Sequence, residues 1–468
     1  MSSSAALDRA DLSVTVIRLA YPETKIARFS DVQDKCLGGI FVVHCKDSDS
    51  DPDCELSPII KRTYETLTAN HLVHRGLDFI KADDERTLQD QIEICEIPAP
   101  TFKEEARARY YTDQLIAAGL NHVEMDSVGN VFGILRGTGE GPKLLVAAHL
   151  DTVFPEGCDV TARHINGKCY APGIGDNSKG LAALLSVIRA FRNTNIRPVG
   201  DVIFCGNIGE EGLGDLAGIK AFFRDNRDID GFIAVDGPGF KDIIYLATGS
   251  RRYEVTYRGP GGHSFGAFGV PSAIHAIGRA IAKIADLETP RDPKATFTVG
   301  MVSGGTSVNS IAAEATMLID MRSNAKGELL KLEAEVLEAV RLAKDEENAR
   351  WQSNSIIVDT KLIGDRPAGS QAPDSVIVQA AYASIQALGN TPSLEGPLST
   401  DANIPIALGI PAVCLGGGGR GGNAHSPDEW YENVDAYLGP QSIFLTILGL
   451  AGACGICEPL LPQRGRAS

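Results

Sequence analysis

Short apolar runs alternate with amphipathic segments along most of the chain. The runs at 144–148, 202–205 and 231–235 contain no proline and no charged residue. Runs of this kind are typical of strands buried on both faces of a sheet. Residues 101–120 and 180–191 instead place apolar side chains near the 3.6-residue period of a helix. Strands that alternate with helices predict an α/β unit with a largely parallel sheet.

The pattern changes near residue 248. Residues 252–258 alternate as a half-exposed strand does. The segments that follow are a helix, two strands, a charged helix and a last strand, at 272–285, 296–302, 315–322, 327–350 and 355–362. This β-α-β-β-α-β order predicts a separate α+β unit with one polar sheet face, inserted into the first. The α/β pattern then resumes with a helix, a strand and a final helix at 373–388, 410–415 and 441–453.

These changes in pattern divide the chain into four predicted segments. They are an N-terminal extension of unknown role at 1–56, the first part of the α/β domain at 57–247, the inserted domain at 248–367, and the second part of the α/β domain at 368–468. Within the extension, the polar tract at 46–53 is expected to be a solvated loop or disordered.

Composition narrows the class of partner. At 468 residues the chain is too long for one compact core, and its net charge is −16. The negative charge argues against nucleic acid and anionic membrane surfaces as partners. Because no run of 18 apolar residues occurs, we expect no membrane span.

The ten cysteines are scattered, and four of them lie beside apolar residues. This favours a reducing compartment over a disulfide framework. The N-terminus lacks the basic start and apolar stretch of an export signal, so we expect a cytoplasmic protein. The pair Cys454 and Cys457 has no second pair to complete a zinc site, and we interpret it as structural.

Acidic residues and histidines recur where apolar strands end or glycine-rich turns begin. They are His149, Asp151, Asp176, Glu210, Glu211, Asp236 and His425. Taken singly, each has a structural explanation: an Asp before Gly in a turn, an isolated surface His, or a solvated Glu pair. Together, two histidines and several carboxylates favour a zinc site that keeps one position open for catalysis. Adjacent residues in extended chain point in opposite directions, so Glu210 and Glu211 divide naturally into a general base and a ligand.

Six stretches occur in the order found in a known superfamily. They are Ala148–Val153, Gly173–Asp176, Gly209–Gly212, Ala234–Gly237, Gly262–Ser264 and Ala424–Trp430. The sequence resembles the co-catalytic dizinc exopeptidases that include peptidase T, glutamate carboxypeptidase and aminoacylase, from about residue 60 to 458. The resemblance implies an α/β catalytic domain of the dizinc-exopeptidase (phosphorylase/hydrolase-like) fold, with an inserted α+β ferredoxin-like lid and dimerisation domain.

The resemblance also implies roles for the site residues. His149 and Asp236 would hold one zinc, Glu211 and His425 the other, with Asp176 bridging both. Asp151 would orient the His149 side of the site, and Glu210 would be the general base that activates the attacking water. Cobalt or manganese would also suit such mixed nitrogen and oxygen ligands. The family further implies a cis peptide bond between Asp176 and Asn177.

Three residues of the inserted domain match positions that contact the substrate in the family. His263 matches a histidine that a partner subunit contributes to the oxyanion, which implies a homodimer formed through the inserted domain. Asn309 and Arg322 match residues that bind the substrate. The planar guanidinium of Arg322 suits a bidentate contact with a substrate carboxylate. One departure concerns Lys179, which follows Asp176 by three residues where the family commonly has two.

We therefore expect a zinc-dependent metallopeptidase that hydrolyses amide bonds of short peptides, an exopeptidase such as a di- or tripeptide aminopeptidase. Asp236 is typical of the peptidase T and glutamate carboxypeptidase side of the family, which favours peptide substrates. The alternative is a deacylase of N-acyl amino acids or a related amidohydrolase that uses the same residues. A non-catalytic metal-binding scaffold is a more remote alternative, because such a protein would have lost the base at Glu210.

Overall fold

The computed structural model describes residues 55–464, so nearly all of the predicted N-terminal extension and its polar tract lie outside the described residues. In chain order the helices are α1 (Pro58–Ala69), α2 (His71–Ala82), α3 (Asp84–Cys95), α4 (Glu105–Ala118), α5 (Ser178–Thr194), α6 (Ala217–Asp225), α7 (Ala273–Ala285), α8 (Lys326–Arg350), α9 (Val376–Ala387), α10 (Asn403–Ala407) and α11 (Leu438–Ala451). The strands are β1 (Asn121–Met125), β2 (Val131–Leu135), β3 (Lys143–His149), β4 (Arg163–Ile165), β5 (Lys168–Tyr170), β6 (Asp201–Asn207), β7 (Gly231–Val235), β8 (Asp242–Ile244), β9 (Gly249–Arg258), β10 (Gly262–His263), β11 (Ala295–Gly304), β12 (Ser310–Ile311), β13 (Glu314–Ser323), β14 (Ile357–Arg366), β15 (Ser393–Glu395), β16 (Ala412–Leu415), β17 (Arg420–Gly422) and β18 (Trp430–Glu432).

A mixed sheet forms the centre of the α/β part, with strand order β1-β2-β6-β3-β7-β16-β8-β15. The four central strands β6, β3, β7 and β16 run parallel to one another, as predicted. The sheet is not parallel throughout, because β1 pairs β2, β2 pairs β6 and β8 pairs β16 in antiparallel fashion, whereas the edge strand β15 pairs β8 in parallel. A short turn joins β1 to β2, and a connection that short can only form an antiparallel pair.

Both faces of this sheet are covered by helices, which explains the uninterrupted apolar runs. Along β3, Leu144 and Val146 belong to one buried cluster, and Leu145 and Ala147 belong to another. Because alternate side chains of a strand point to opposite faces, a strand with an apolar residue at every position packs against a hydrophobic core on each face of the sheet. The first cluster contains the buried faces of α5, α9 and α11.

Residues 249–366 form a second, antiparallel sheet with strand order β11-β13-β9-β14. Helices α7 and α8 pack on this sheet and share with it a hydrophobic cluster of its own. The β-α-β-β-α-β chain order with this strand order is a ferredoxin-like arrangement. We call residues 249–366 the inserted unit.

A small sheet of order β17-β18-β5-β4, which the sequence pattern did not predict, joins two distant segments. Trp430 and Tyr431 of β18 pair with Tyr170 and Cys169 of β5. The glycine-rich loop 171–177 begins directly after β5, and His425 lies between β17 and β18. The small sheet therefore brings His425 to the glycine-rich loop. Among residues 55–464, no helix is both long and apolar enough to cross a membrane.

Candidate functional site

The predicted metal-binding residues converge at the carboxyl ends of the central parallel strands. His149 is the last residue of β3, and Asp236 directly follows β7. Glu210 and Glu211 lie in the turn after β6, before the 3-10 helix Gly212–Gly214. This is the edge at which open α/β sheets bind their ligands.

Asp176 lies between the two histidines. Its Oδ1 atom is 3.1 Å from His149 Nε2, and its Oδ2 atom is 3.1 Å from His425 Nε2. A further carboxylate approaches the same nitrogen of each histidine: Asp236 Oδ1 is 3.6 Å from His149 Nε2, and Glu211 Oε1 is 3.0 Å from His425 Nε2. The peptide bond from Asp176 to Asn177 is cis, as expected.

This arrangement fits two metal ions that share one carboxylate. Ligand atoms of His149, Asp176 and Asp236 lie within 4.8 Å of one another, and so do those of Asp176, Glu211 and His425. Asp176 Oδ1 is buried and receives no hydrogen bond from residues 55–464, although His149 Nε2 is only 3.1 Å away. Two such atoms in close approach without a hydrogen bond are expected when both face a common cation.

The electrostatics of the cluster favour added positive charge. Burial by itself would lower the pKa of His149, but the surrounding carboxylates raise it well above its usual range. Hydrogen bonds to Asp176 and Glu211 raise the pKa of His425 to about 10. Although burial opposes it, the two histidines hold the pKa of Asp176 below its usual range. The carboxylates therefore stabilise either protons on the histidines or metal cations in their place.

Asp151 supports the site through the backbone of the Glu210–Glu211 turn. Its Oδ1 atom accepts the N–H of Glu210 at 2.9 Å, and its Oδ2 atom accepts the N–H of Glu211 at 2.9 Å. The Thr101 hydroxyl also donates to Oδ2 at 2.9 Å. The shorter contact with His149 is made by the Asp151 backbone oxygen, 3.0 Å from Nδ1, whereas its carboxylate is 3.6 Å away. Asp151 thus fixes both the histidine ring and the turn that carries the predicted base.

Glu210 is buried and paired with an arginine that the sequence pattern did not single out. Arg366 Nη1 donates to Glu210 Oε1 at 3.1 Å and to Ser399 Oγ at 3.1 Å, and Nη2 donates to the Glu210 backbone oxygen. Burial raises the pKa of Glu210 well above its usual range, and the Arg366 charge opposes that rise. Arg366 is the last residue of β14 in the inserted unit and lies 156 positions from Glu210 along the chain. Because most residues of β14 are exposed, the local sequence gave no sign that Arg366 would be buried beside Glu210.

Two further buried carboxylates support the site and were also missed. Glu429 accepts backbone N–H groups from Gly173, Gly175 and Asp176 at 2.8 to 2.9 Å. Glu429 lies within Ala424–Trp430, one of the six stretches on which the family resemblance rests, so the sequence did offer a signal for it. Asp401 accepts a hydrogen bond of 2.8 Å from the Asn207 side chain at the end of β6, and burial raises its pKa to about 7.

The cluster opens into a cavity of about 350 Å³, which we call the central cavity. Its lining residues are His149, Val153, Asp176, Glu210, Glu211, Gly212, Asp236, Arg252, Arg322, Arg366, Ser399 and His425. Arg322, predicted to contact substrate, therefore lies on the wall of this cavity, together with the unpredicted Arg252. Asp320 accepts hydrogen bonds of 2.8 Å from Nε of both arginines.

His263 and Asn309 do not line the central cavity. Both are exposed and lie side by side in the inserted unit, where the N–H of Ser264 donates to the Asn309 backbone oxygen at 2.9 Å, beside the pairing of β10 with β12. His263 Nδ1 accepts N–H groups from Phe265 and Gly266, each at 3.2 Å, which leaves the proton of the neutral ring on Nε2. Within one chain, the structure therefore separates these two predicted residues from the candidate metal-binding cluster.

Replacing Asp151 with Asn tests its support of the turn. An amide keeps one acceptor oxygen, so one buried N–H of Glu210 or Glu211 loses its partner. The expected cost is about 1–3 kcal/mol in the free energy of unfolding, measured on metal-free protein by urea denaturation. Amide hydrogen exchange should also become faster at residues 210–212. The exposed Asp113→Asn is the control, and equal stability of the two variants would contradict this role.

The chain resembles known proteins in both sequence and fold. The sequence profile of Peptidase family M20/M25/M40 matches residues 145–448. Carboxypeptidase G2 of Pseudomonas sp. (strain RS-16) is 24% identical over 200 residues, which is 41% of this chain and 47% of that protein. The chain spans about half or less of the length of the curated relatives that it matches.

Two solved structures share the fold. Aminopeptidase PepT from Bacillus cereus has a TM-score of 0.63 at 23% identity, over 78% of this chain and 98% of that chain. A tripeptidase from Staphylococcus aureus has a TM-score of 0.66 at 23% identity, over 78% of this chain and 97% of that chain. At these identities the likeness concerns the fold alone. Because the family profile matches more than half of the chain, the chain belongs to Peptidase family M20/M25/M40, a family of hydrolases.

Proposed function

We propose that the protein is a two-metal exopeptidase that hydrolyses amide bonds of short peptides. The observation that carries this proposal is the position of Asp176, with one oxygen facing His149 and the other facing His425. The named activities of the relatives, a carboxypeptidase, an aminopeptidase and a tripeptidase, support a peptide substrate. The presence of Glu210 in the same cavity argues against a scaffold that only binds metal.

The side chains around Asp176 would provide the ligands of two zinc ions. His149 and Asp236 would hold one ion, Glu211 and His425 the other, and Asp176 would contact both. Mixed imidazole and carboxylate ligands suit zinc, and cobalt or manganese would also be accepted. Bound metal supplies acidity to the attacking water and polarises the scissile carbonyl.

Glu210 would move the proton. Its Oε1 atom accepts a hydrogen bond from Arg366. The other oxygen, Oε2, would therefore take the proton from the attacking water. The same oxygen then returns the proton to the amine that leaves. Arg366 holds the carboxylate in one orientation, because its guanidinium contacts both the side chain and the backbone of Glu210.

The arginines on the cavity wall would orient the substrate. The Arg322 side chain is 42% exposed at the cavity wall, and its Nε atom donates a hydrogen bond of 2.8 Å to Asp320. Its two terminal nitrogens have no protein hydrogen bond within the described part of the chain and are therefore available to a carboxylate. This role applies equally to a peptide and to an N-acyl amino acid, so the cavity wall does not separate the two classes.

A substrate panel with metal removal tests the function. Zinc-loaded protein should hydrolyse di- and tripeptides with free termini, a chelator should abolish the activity, and added zinc should restore it. Mass spectrometry of the products would identify the bond that is cleaved. Turnover of N-acyl amino acids without turnover of peptides would replace the peptidase proposal with the deacylase. Activity that resists the chelator would contradict the two-metal site.

The variant Glu210→Gln tests the base. We expect a loss of kcat of at least about 100-fold, because a glutamine cannot accept the proton. Zinc content, measured by atomic absorption, should stay near the wild-type value, since Glu210 is not proposed as a ligand. The exposed Glu65→Gln is the matched control and should keep full activity. A normal rate in Glu210→Gln would refute the role.

We also infer a homodimer in which the inserted unit of one subunit completes the site of the other. The edge strand β11 is largely exposed and carries Met301 and Val302, which are 64% and 54% exposed. Phe265 and Val308, beside His263 and Asn309 in the sequence, are 89% and 104% exposed. Large apolar side chains exposed on one unit are typical of an interaction surface.

The cysteines support a cytoplasmic location. Cys205 and Cys414 are free and buried in the α/β part, where each packs as a small apolar side chain. Free buried thiols of this kind are typical of proteins from a reducing compartment.

Mixed dimers test the shared site. His263→Ala and Glu210→Gln should each be nearly inactive alone, because each removes one half of every site. After subunit exchange, about a quarter of the wild-type activity should return, since half of the dimers would carry one intact site. The dimer itself is checked by analytical ultracentrifugation. A mixture as inactive as its components would count against a histidine supplied by the partner.

A further inference from the structure

Residues 247–248 and 367–369 join the inserted unit to the α/β part, and we call them the connecting segments. They lie side by side, because the N–H of Ala247 donates to the backbone oxygen of Gly369 at 2.9 Å and the N–H of Gly369 donates to that of Ala247 at 3.1 Å. The chain enters the inserted unit through one segment and leaves it through the other. The position of the inserted unit therefore depends on how these two segments are held.

One buried amide group binds both connecting segments. Asn403 is the first residue of α10, and it is fully buried. Its Nδ2 atom donates to the backbone oxygen of Thr248 at 2.8 Å and to that of Pro367 at 3.0 Å, and its Oδ1 atom accepts the N–H of Thr400 at 3.0 Å. A side-chain amide has two N–H donors, so both are used here. Asn403 thus links the last residue before the inserted unit to the first residue after it.

The segment that carries Asn403 also contacts Arg366, the residue that pairs with the proposed base. Ser399 Oγ accepts a hydrogen bond of 3.1 Å from Arg366 Nη1, and the same nitrogen donates to Glu210 at 3.1 Å. Arg366 Nε is buried and has no hydrogen-bond partner within residues 55–464. Arg366 directly precedes Pro367, whose backbone oxygen is bound by Asn403. The backbone from which the guanidinium extends is therefore held by the Asn403 amide.

We propose that Asn403 is a positioning residue for the proposed base, acting through Arg366. The proposal rests on the hydrolase function proposed above. The Asn403 amide fixes the end of β14, so that the Arg366 guanidinium stays against Glu210 Oε1 and leaves Oε2 to the attacking water. Without the amide, two buried backbone oxygens lose a donor and the end of β14 can shift. A displacement of about 1 Å can lower the rate of a positioned reaction by about 100-fold.

Replacing Asn403 with Ala tests the effect on catalysis. For whichever substrate class the zinc-loaded protein hydrolyses, kcat should fall at least about tenfold. KM should stay within about twofold, because Arg322 is bound by Asp320 inside the inserted unit. Asn348→Ala is the matched control, since it removes two hydrogen bonds to the backbone of Ile356 away from the connecting segments and should keep the wild-type kcat. A normal kcat in Asn403→Ala would overturn the proposal.

A double-mutant cycle tests whether Asn403 acts through Arg366. Arg366→Lys should lower kcat by itself, because an ammonium group lacks the planar fork that contacts both the side chain and the backbone of Glu210. The double variant Asn403→Ala/Arg366→Lys should lose no more than about twofold beyond Arg366→Lys alone. Losses that multiply would show that the two residues act independently, and would contradict a role through Arg366.

Hydrogen exchange tests the link without any turnover. In metal-free protein, the N–H groups of Ala247 and Gly369 should exchange at least about tenfold faster in Asn403→Ala than in the wild type or in Asn348→Ala. Asn403→Asp, which keeps an acceptor for the Thr400 N–H, replaces Asn403→Ala in each experiment if that variant does not fold. Unchanged exchange would overturn the proposal. Faster exchange in a protein that hydrolyses neither peptides nor N-acyl amino acids would support the link and refute the proposed function alone.

Discussion

The negative charge gathered around Asp176 is the constraint on which the rest of the site depends. Asp176, Glu210, Glu211 and Asp236 all line one cavity. Two like charges about 4 Å apart repel by about 4 kcal/mol at an effective dielectric constant near 20, so the fold must supply positive charge close by. The Arg366 ion pair on Glu210 provides part of it. Either protons on the two histidines beside Asp176 or metal cations in their place provide the rest.

The loops that carry these carboxylates are held by other carboxylates rather than by regular secondary structure. Asp151 accepts two backbone N–H groups of the Glu210–Glu211 turn, and Glu429 accepts three from the glycine-rich loop that leads to Asp176. Each of these bonds is charge-assisted and protected from water, which makes it stronger than a bond between neutral groups. The positions of the candidate metal-binding atoms of the two loops are therefore set by these hydrogen bonds.

The inserted unit is part of this construction. Arg366 reaches Glu210, Arg252 donates to the backbone oxygen of Gly212, and the N–H of Asp365 donates to Asp215 at 2.9 Å. All three contacts meet the turn that follows β6. A movement of the inserted unit would consequently displace the turn that carries the proposed base, Glu210. A substrate bound to Arg322 would contact both parts of the chain.

The sequence alone predicted the layered α/β core, an inserted α+β unit and most of the charged residues that lie close to Asp176. Apolar runs, helical periods and short motifs are local properties, so they can be recognised before folding is known. The contributions of Arg366 and Asp401 were decided only by the tertiary structure. Their partners, Glu210 and Asn207, lie 156 and 194 positions away along the chain. A buried ion pair depends on which groups share a desolvated space, and no local pattern of residues encodes that.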